Sequence, residues 1–253
     1  MTRIWHATSG EESDPLIVLV HGSMDRSAGL LKLGRRLDSR FEVLRYDRRG
    51  YGRSIDIAGP YAMPDQVADL TELLTERSRS RQATFVFGHS FGGNVALALA
   101  DQHPELVTAV AVYEAPLSWL DWWPGNSPGG TALSLGDPGD AAEAFLRRLM
   151  GDDSWERLSV PKRETRRAEG AAMVGELADL RQHEPWSTNR IDAPVLAMCG
   201  EHSKPHHQRA TDLLPEVLAD CRSEHIPGAG HFGPYSHPAL VAERLVDFIE
   251  SAG

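Results

Sequence analysis

The segment Gly88-His89-Ser90-Phe91-Gly92-Gly93 sets a serine between a β-like apolar run, Thr84 to Phe87, and an apolar helical pattern that begins at Phe91. A serine hydroxyl is a weak nucleophile until a base takes its proton and nearby donors stabilise the oxyanion formed on attack. A sharp strand-to-helix turn helps with both: it lifts the side chain above the sheet edge and aims the first free N–H groups of the helix at the same point. Such a turn tolerates only small residues two positions before and after the serine, and Gly88 and Gly92 stand there. His89, inside the motif, reads as a packing residue, because neighbours on a tight turn point apart.

A base lies near the other end of the chain. The segment IPGAGHFGPYSHP at 226–238 offers His231 on a glycine-flanked loop after the last strand-like run. Loops that follow parallel strands gather at one edge of a sheet, so His231 is expected above Ser90. An imidazole exchanges protons near neutral pH and can pass the serine's proton to a leaving group. Of the other histidines, His237 reads as leading into the last helix. His202, His206 and His207 read as a solvated loop, since no cysteine or carboxylate at a metal-ligand spacing accompanies them. A second oxyanion donor is expected from His21-Gly22-Ser23-Met24, which assigns the oxyanion hole to the amides of Ser23 and Phe91 and puts Met24 against substrate.

The imidazole needs a carboxylate to orient it. Glu114, in VYEAP at 112–116, ends the run Val107 to Tyr113, which should neighbour the serine's strand at about 4.8 Å. Its carboxylate would emerge at the same edge and reach the far side of His231. Glu201, in GEHSKP at 200–205, is the alternative acid.

These residues need a scaffold that brings strand ends together. Short apolar runs at Leu16 to Val20, Phe41 to Tyr46, Thr84 to Phe87, Val107 to Tyr113 and Pro194 to Cys199 read as buried parallel strands, with a more polar edge run at Arg222 to Ile226. Helical patterns at Ser27 to Leu37, Asp65 to Arg79, Phe91 to Gln102, His207 to Ala219 and Pro238 to Glu250 alternate with them. Alternation of this kind means an α/β fold, a parallel sheet covered on both faces. From Leu117 to Arg190 it stops, and Asp137 to Met150 and Val160 to Gln182 read as helices, with a flexible loop at Pro124 to Gly139. The expected organisation is a core of residues 1–116 and 191–253 with a helical lid of residues 117–190. Five of the six tryptophans fall in that lid, and Trp119, Trp122 and Trp123, directly after the acid's strand, are expected to line an apolar or aromatic substrate pocket.

Composition narrows the partners. The chain has 253 residues, 41% of them hydrophobic, and a net charge of −10, which leaves no basic face for nucleic acid or an anionic membrane. Met1 to Pro15 lacks the unbroken apolar stretch of a secretory signal, and no run is long enough to span a bilayer, so a cytoplasmic location is expected. Cys199 and Cys221 are expected to be reduced thiols.

Taken together, HGS at 21–23, DRRGYGRS at 47–54, GHSFGG at 88–93 and GAGHF at 228–232 resemble the α/β-hydrolase superfamily over nearly the whole chain. The resemblance implies a mostly parallel eight-stranded sheet flanked by helices, a helical lid inserted after the sixth strand, and the order serine, acid, histidine. The N-terminal stretch is short for two strands, so the first is expected to be missing or vestigial. Asp47 and Arg48 are expected to brace loops near the cleft. One position departs from the pattern: most relatives carry aspartate where Ser203 stands here. An acid at Glu114, with the tail GHFGPYSHP at 230–238, resembles the zearalenone-lactonase-like branch. The expected reaction is hydrolysis of a carboxylic ester or lactone of a small molecule through an acyl-enzyme, with no cofactor and no metal. C–C bond hydrolysis, acyl transfer and perhydrolysis use the same constellation. A ligand-binding protein that has lost catalysis is the alternative raised by Ser203. The chain's partner is expected to be that small ester or lactone, with a homodimer left open.

Overall fold

The computed structural model describes residues 4–75 and 83–252. Seven strands form one sheet: β1 (His6–Ser9), β2 (Leu16–Val20), β3 (Glu42–Tyr46), β4 (Thr84–His89), β5 (Ala109–Tyr113), β6 (Val195–Gly200) and β7 (Cys221–Ile226), in the order β1-β3-β2-β4-β5-β6-β7. Only β1 runs antiparallel, against β3. The other pairings are parallel, and they set His89 beside Tyr113 and Tyr113 beside Met198, so β4 and β5 end level with one another and β6 runs two residues further.

Side-chain alternation explains the layers. Val18, Val86 and Val110 face one side, where α2 (Met63–Thr75), α3 (Phe91–Gln102) and α9 (Pro205–Val217) cover them. Ile17, Phe85 and Ala109 face the other side, under α1 (Leu31–Leu37) and α11 (Pro238–Ala252). The helix α3 is buried almost throughout, which anchors its N-terminus, and Ser90 with it, at mid-sheet.

Between β5 and β6 lie α4 (Pro128–Leu133), α5 (Pro138–Met150), α6 (Asp152–Glu156), α7 (Val160–Ala168) and α8 (Gly170–Gln182). They close on their own apolar cluster around Trp155, Phe145 and Met173, which Met24 and Tyr51 join from below. A short α10 (Gly233–Ser236) follows β7. No helix among the described residues is long and apolar enough to cross a membrane.

Several expectations shift. The sheet has seven strands against the family pattern's eight, as the short N-terminal stretch led one to expect: that stretch supplies one antiparallel strand, the four-residue β1, and the insertion follows β5, the fifth strand present. The helix expected from Ser27 begins only at Leu31, because the Ser27 amide donates to Asp47 and its carbonyl accepts from Arg45, which ties that turn to the end of β3. Val160 to Gln182 is broken at Glu169, whose buried carboxylate accepts from Gly52 and Arg26 of the core. The loop at Pro124 to Gly139 contains α4, capped by the Ser127 hydroxyl and started by Pro128. The last residues expected of the second helix, 76–79, lie outside the described residues.

Candidate active site

Ser90 follows β4 with φ 53° and ψ −124°, a conformation L-residues rarely adopt. Crowding makes the flanking glycines obligatory: a Cβ on Gly88 would sit 2.2 Å from the Gly92 carbonyl oxygen, and one on Gly92 would sit 2.4 Å from that of Val20. Among the described residues, the non-glycine positions with positive φ are Met24, Ser90 and Glu114, all three singled out from the sequence. Strain of about 1–3 kcal/mol at each must be held by the surroundings. Backbone bonds from Ser90 N–H to the Tyr113 carbonyl and from Glu114 N–H to that of Met198, each 2.8 Å, extend the ladder past the strand ends and do so.

Glu114 is fully buried. Its Oε2 accepts from His231 Nδ1 at 2.7 Å, while Oε1 accepts from the Gly200 amide at 3.0 Å and from the Ser203 hydroxyl. The longer glutamate thus carries its carboxylate from β5 across to the end of β6, onto the residue that stands where relatives carry their aspartate. Burial pushes the carboxyl pKa up, but the hydrogen bond and charge of His231, then His207 and Ser203, outweigh it and bring it down to about 2. Glu201 is exposed and accepts from the Gly228 amide instead. With Nδ1 committed to Glu114, His231 has Nε2 left for the cavity it shares with Ser90.

His231 is also fixed through its backbone. His89 Nε2 donates to the His231 carbonyl at 2.9 Å, and His89 Nδ1 lies 2.9 Å from the Tyr235 hydroxyl, which in turn lies 2.5 Å from Asp25 Oδ2. Burial, then the charge of His231, holds the His89 pKa down to about 3, so the ring is neutral and its Nδ1 accepts. The one phenolic proton thus faces two acceptors, His89 Nδ1 and Asp25 Oδ2; burial raises the Asp25 carboxyl, and the Tyr235 hydrogen bond opposes that shift. His89 packs, as expected from the sequence, but it packs as the support of the His231 loop.

The loop after β2 comes equally close to the serine: a Cβ on Gly22 would be 3.0 Å from Ser90 Cβ. Arg48, fully buried, holds this loop by donating Nε to the His21 carbonyl (2.9 Å) and Nη2 to that of Gly22 (3.1 Å). Its Nη1 donates to Glu176 of α8 at 2.6 Å, and Tyr51 donates to the same carboxylate at 2.6 Å. Asp47 accepts from the Ser27 and Arg53 amides. Both residues brace loops, as DRRGYGRS suggested, and Arg48 in addition ties the serine's neighbourhood to the insertion.

Two cavities flank Ser90 and His231. One, about 70 Å³, is lined also by Ser23, Phe91, Trp123 and Arg181; the other, about 190 Å³, by Ser23, Met24, Phe232 and Tyr235. The structure therefore brings Ser90, His231, Ser23, Phe91, Met24 and Trp123 together, with Glu114 behind His231. Trp119 and Trp122 line neither cavity. Trp119 packs edge-on against Trp186 and the core, and the face of Trp122 carries Arg209 at 4.2 Å, so both serve to seat the insertion.

His206 and His207 are not a solvated loop. They occupy the first turn of α9, and His207 stacks on His231 at 4.8 Å between centroids. Burial, then the nearby His231, pushes the His207 pKa well down. The one signal for it was its closeness in sequence to Ser203, two residues before the helix that carries His207. Glu114, His207 and His231 bring three ligand atoms within 4.8 Å of one another. The two rings are stacked at 28°, however, so their nitrogens lie in nearly parallel planes instead of converging on an ion, and the contact with Glu114 is a hydrogen bond.

The sequence pattern described as the Alpha/beta hydrolase family matches residues 17–244. The chain is 30% identical over 262 residues to a pimeloyl-[acyl-carrier protein] methyl ester esterase of Klebsiella pneumoniae (strain 342), covering 97% of both. It is 25% identical to a 2-(acetamidomethylene)succinate hydrolase of Mesorhizobium japonicum, over 94% of this chain and 89% of that protein. Among solved structures, the enol-lactonase from Burkholderia xenovorans LB400 superposes with a TM-score of 0.75 at 24% identity, over 98% of this chain and 96% of that one.

Proposed function

The chain belongs to the alpha/beta hydrolase family, and from that premise we propose that it cleaves a carboxylic ester or lactone of a small molecule in the cytoplasm, through an acyl-enzyme on Ser90. The Ser90 hydroxyl attacks the carbonyl carbon while His231 Nε2 takes its proton. The tetrahedral oxyanion is held by the amides of Ser23 and Phe91, and collapse breaks the bond to the alkoxy group, which leaves with the proton from His231. Water, deprotonated by His231 in turn, then releases the acid and regenerates Ser90. Glu114 keeps Nδ1 protonated and balances the imidazolium at each stage.

The observation that carries this reading is the 2.7 Å contact between His231 and a buried carboxylate, at the wall of a cavity that Ser90 shares. It also removes the motive for a non-catalytic binder, because Ser203 donates to the acid and leaves no place for it to fill. The cavities divide the substrate. The one bordered by Phe232 and Tyr235 of the histidine loop suits the leaving group, which must receive its proton from His231, and the one bordered by Phe91 and Trp123 suits the acyl group. In this proposal residues 117–190 are the lid over both. The place of the acid and the histidine tail favour the lactonase-like branch, and apolar walls at Phe145 and Leu149 favour an apolar or aromatic body.

A fluorophosphonate probe tests the proposal. The protein should label stoichiometrically and lose turnover of phenyl esters, whereas Ser90→Ala should neither label nor turn over. Labelling retained in Ser90→Ala, or none in the unaltered protein, overturns it.

A further inference from the structure

Arg181, on α8, is unlike the arginines around it. The half-buried Arg26, Arg49 and Arg166 each meet a carboxylate, and so does the fully buried Arg48. Among the described residues no carboxylate lies within ion-pair distance of Arg181, and no aspartate or glutamate lines the acyl cavity that it borders. Its Nη2 donates to the Ser127 hydroxyl at 2.7 Å and reaches toward the Pro124 carbonyl at 3.5 Å, so its position is set by the α4 turn. Its other N–H groups have no protein acceptor among the described residues.

Ser127 lines the same cavity and accepts twice, from Arg181 and from the Gly130 amide at 3.3 Å. With both lone pairs engaged, its own proton remains free to be donated. Apart from Ser118, the other insertion side chains that line this cavity are apolar, Pro128, Phe145, Leu149 and Leu177 among them. A partly desolvated cation in such a wall carries an uncompensated cost that an anion entering the cavity would remove. Burial, with no neighbouring charge, shifts the Arg181 pKa down, which is the same imbalance seen from the proton's side.

Resting on the ester-hydrolase reading above, the geometry points to a substrate whose acyl group ends in a carboxylate, bound by Arg181 and Ser127 in the cavity that Ser90 also lines. A planar guanidinium in an apolar, narrow cavity suits a carboxylate on a short carbon chain. The protein is then selective for half-esters of dicarboxylic acids, or for lactones that carry a free acid group.

Matched substrates test this: phenyl half-esters of the C4 to C8 straight-chain dicarboxylic acids against phenyl esters of monocarboxylic acids of equal length. The best half-ester should exceed its neutral partner in kcat/KM by about 10- to 100-fold, the range set by a hydrogen bond to a charged group. Arg181→Gln should collapse that ratio toward one, chiefly through KM, and Arg181→Lys should keep part of it. A structural role for Arg181 would lower turnover of both substrates and leave the ratio alone, which overturns the inference. A second measurement needs only the unaltered protein: adipic acid monoanilide should inhibit at least tenfold better than hexananilide, and equal inhibition overturns the inference. Failure of the underlying reading looks different, since Ser90→Ala would then still hydrolyse both esters.

Discussion

The carboxyl edge of the sheet and the helical insertion above it hold their polar groups in opposite ways. At the edge, Ser90, Glu114 and Met24 sit in strained backbone, and the groups around them are buried and bonded to backbone amides and carbonyls. In the insertion most charges lie outside: Arg147 reaches Glu143, Asp152 and Glu156, and Arg167 reaches Asp140 and Glu143. Its two fully buried carboxylates, Glu169 and Glu176, both turn toward the core, to Arg26 and Gly52 in one case and to Arg48 and Tyr51 in the other. Fixed geometry is therefore concentrated at the strand ends, and the insertion shares in it where α7 and α8 meet the loop beneath them.

The strongest way to break this contrast is at Glu114. Glu114→Gln keeps the shape but loses the charge that orients His231, and turnover should fall by about 10⁴-fold. Glu201→Gln, one strand over and exposed, should stay within about twofold. A comparable loss in both would move the acid. Stability offers a second readout. Because the folded Glu114 pKa, about 2, lies below the ordinary carboxylate value of 4.5, the unfolded chain binds its proton first as pH falls. Its contribution is thus complete above about pH 4.5 and is lost on the way down to about pH 2. Acid denaturation followed in Glu114→Gln should show a shallower decline across that window.

At the joint between the two regions the expected effect is smaller but still large. Glu176→Ala leaves Arg48 buried and uncompensated, and breaking a pair of this kind costs about 3–5 kcal/mol. Since Arg48 also holds the carbonyls of His21 and Gly22, turnover should fall alongside stability. Chemical denaturation and steady-state rates on the same samples check it. A stable but inactive variant would sharpen the contrast, while a destabilised variant with unchanged turnover per folded molecule would uncouple the His21–Gly22 loop from the insertion.

How much of this was legible depended on whether position along the chain implied position in space. Gly88 and Gly92 announce the turn at Ser90 because backbone crowding there admits nothing larger, and the buried strands announce themselves as short apolar runs. Glu114 could be read because parallel neighbours end level, and because Ser203 stood where an acid was wanted. The strand β1 could not, being four half-exposed residues at an edge. Nor could Trp119 and Trp122 be told from Trp123, since adjacent aromatics in an irregular segment carry no periodicity that says which one turns inward. The supports of His231 at Tyr235, Asp25 and His207 come from three separate segments, α10, the loop after β2 and the first turn of α9, which only the tertiary packing unites.

The smallest expected effect belongs to the outer surface of the insertion, and it is the one that tests whether the contrast is real. Arg147 has more carboxylate partners than any group at the edge of the sheet, and counting contacts alone would make it the better anchor. Its side chain is only half-buried and its partners Asp152 and Glu156 are exposed, however, so water and salt screen these pairs, and ordering the long side chain offsets much of the attraction. Arg147→Ala should therefore move the melting temperature by about 2 °C or less, and the shift should shrink further in 0.5 M salt. Glu176→Ala, with one arginine and one tyrosine as partners, should move it several times as far and respond little to salt, because its field lies in a region that counterions do not enter. Equal shifts, or a salt dependence in the buried variant, would mean that the insertion is held by its surface and that the buried joint to Arg48 is incidental.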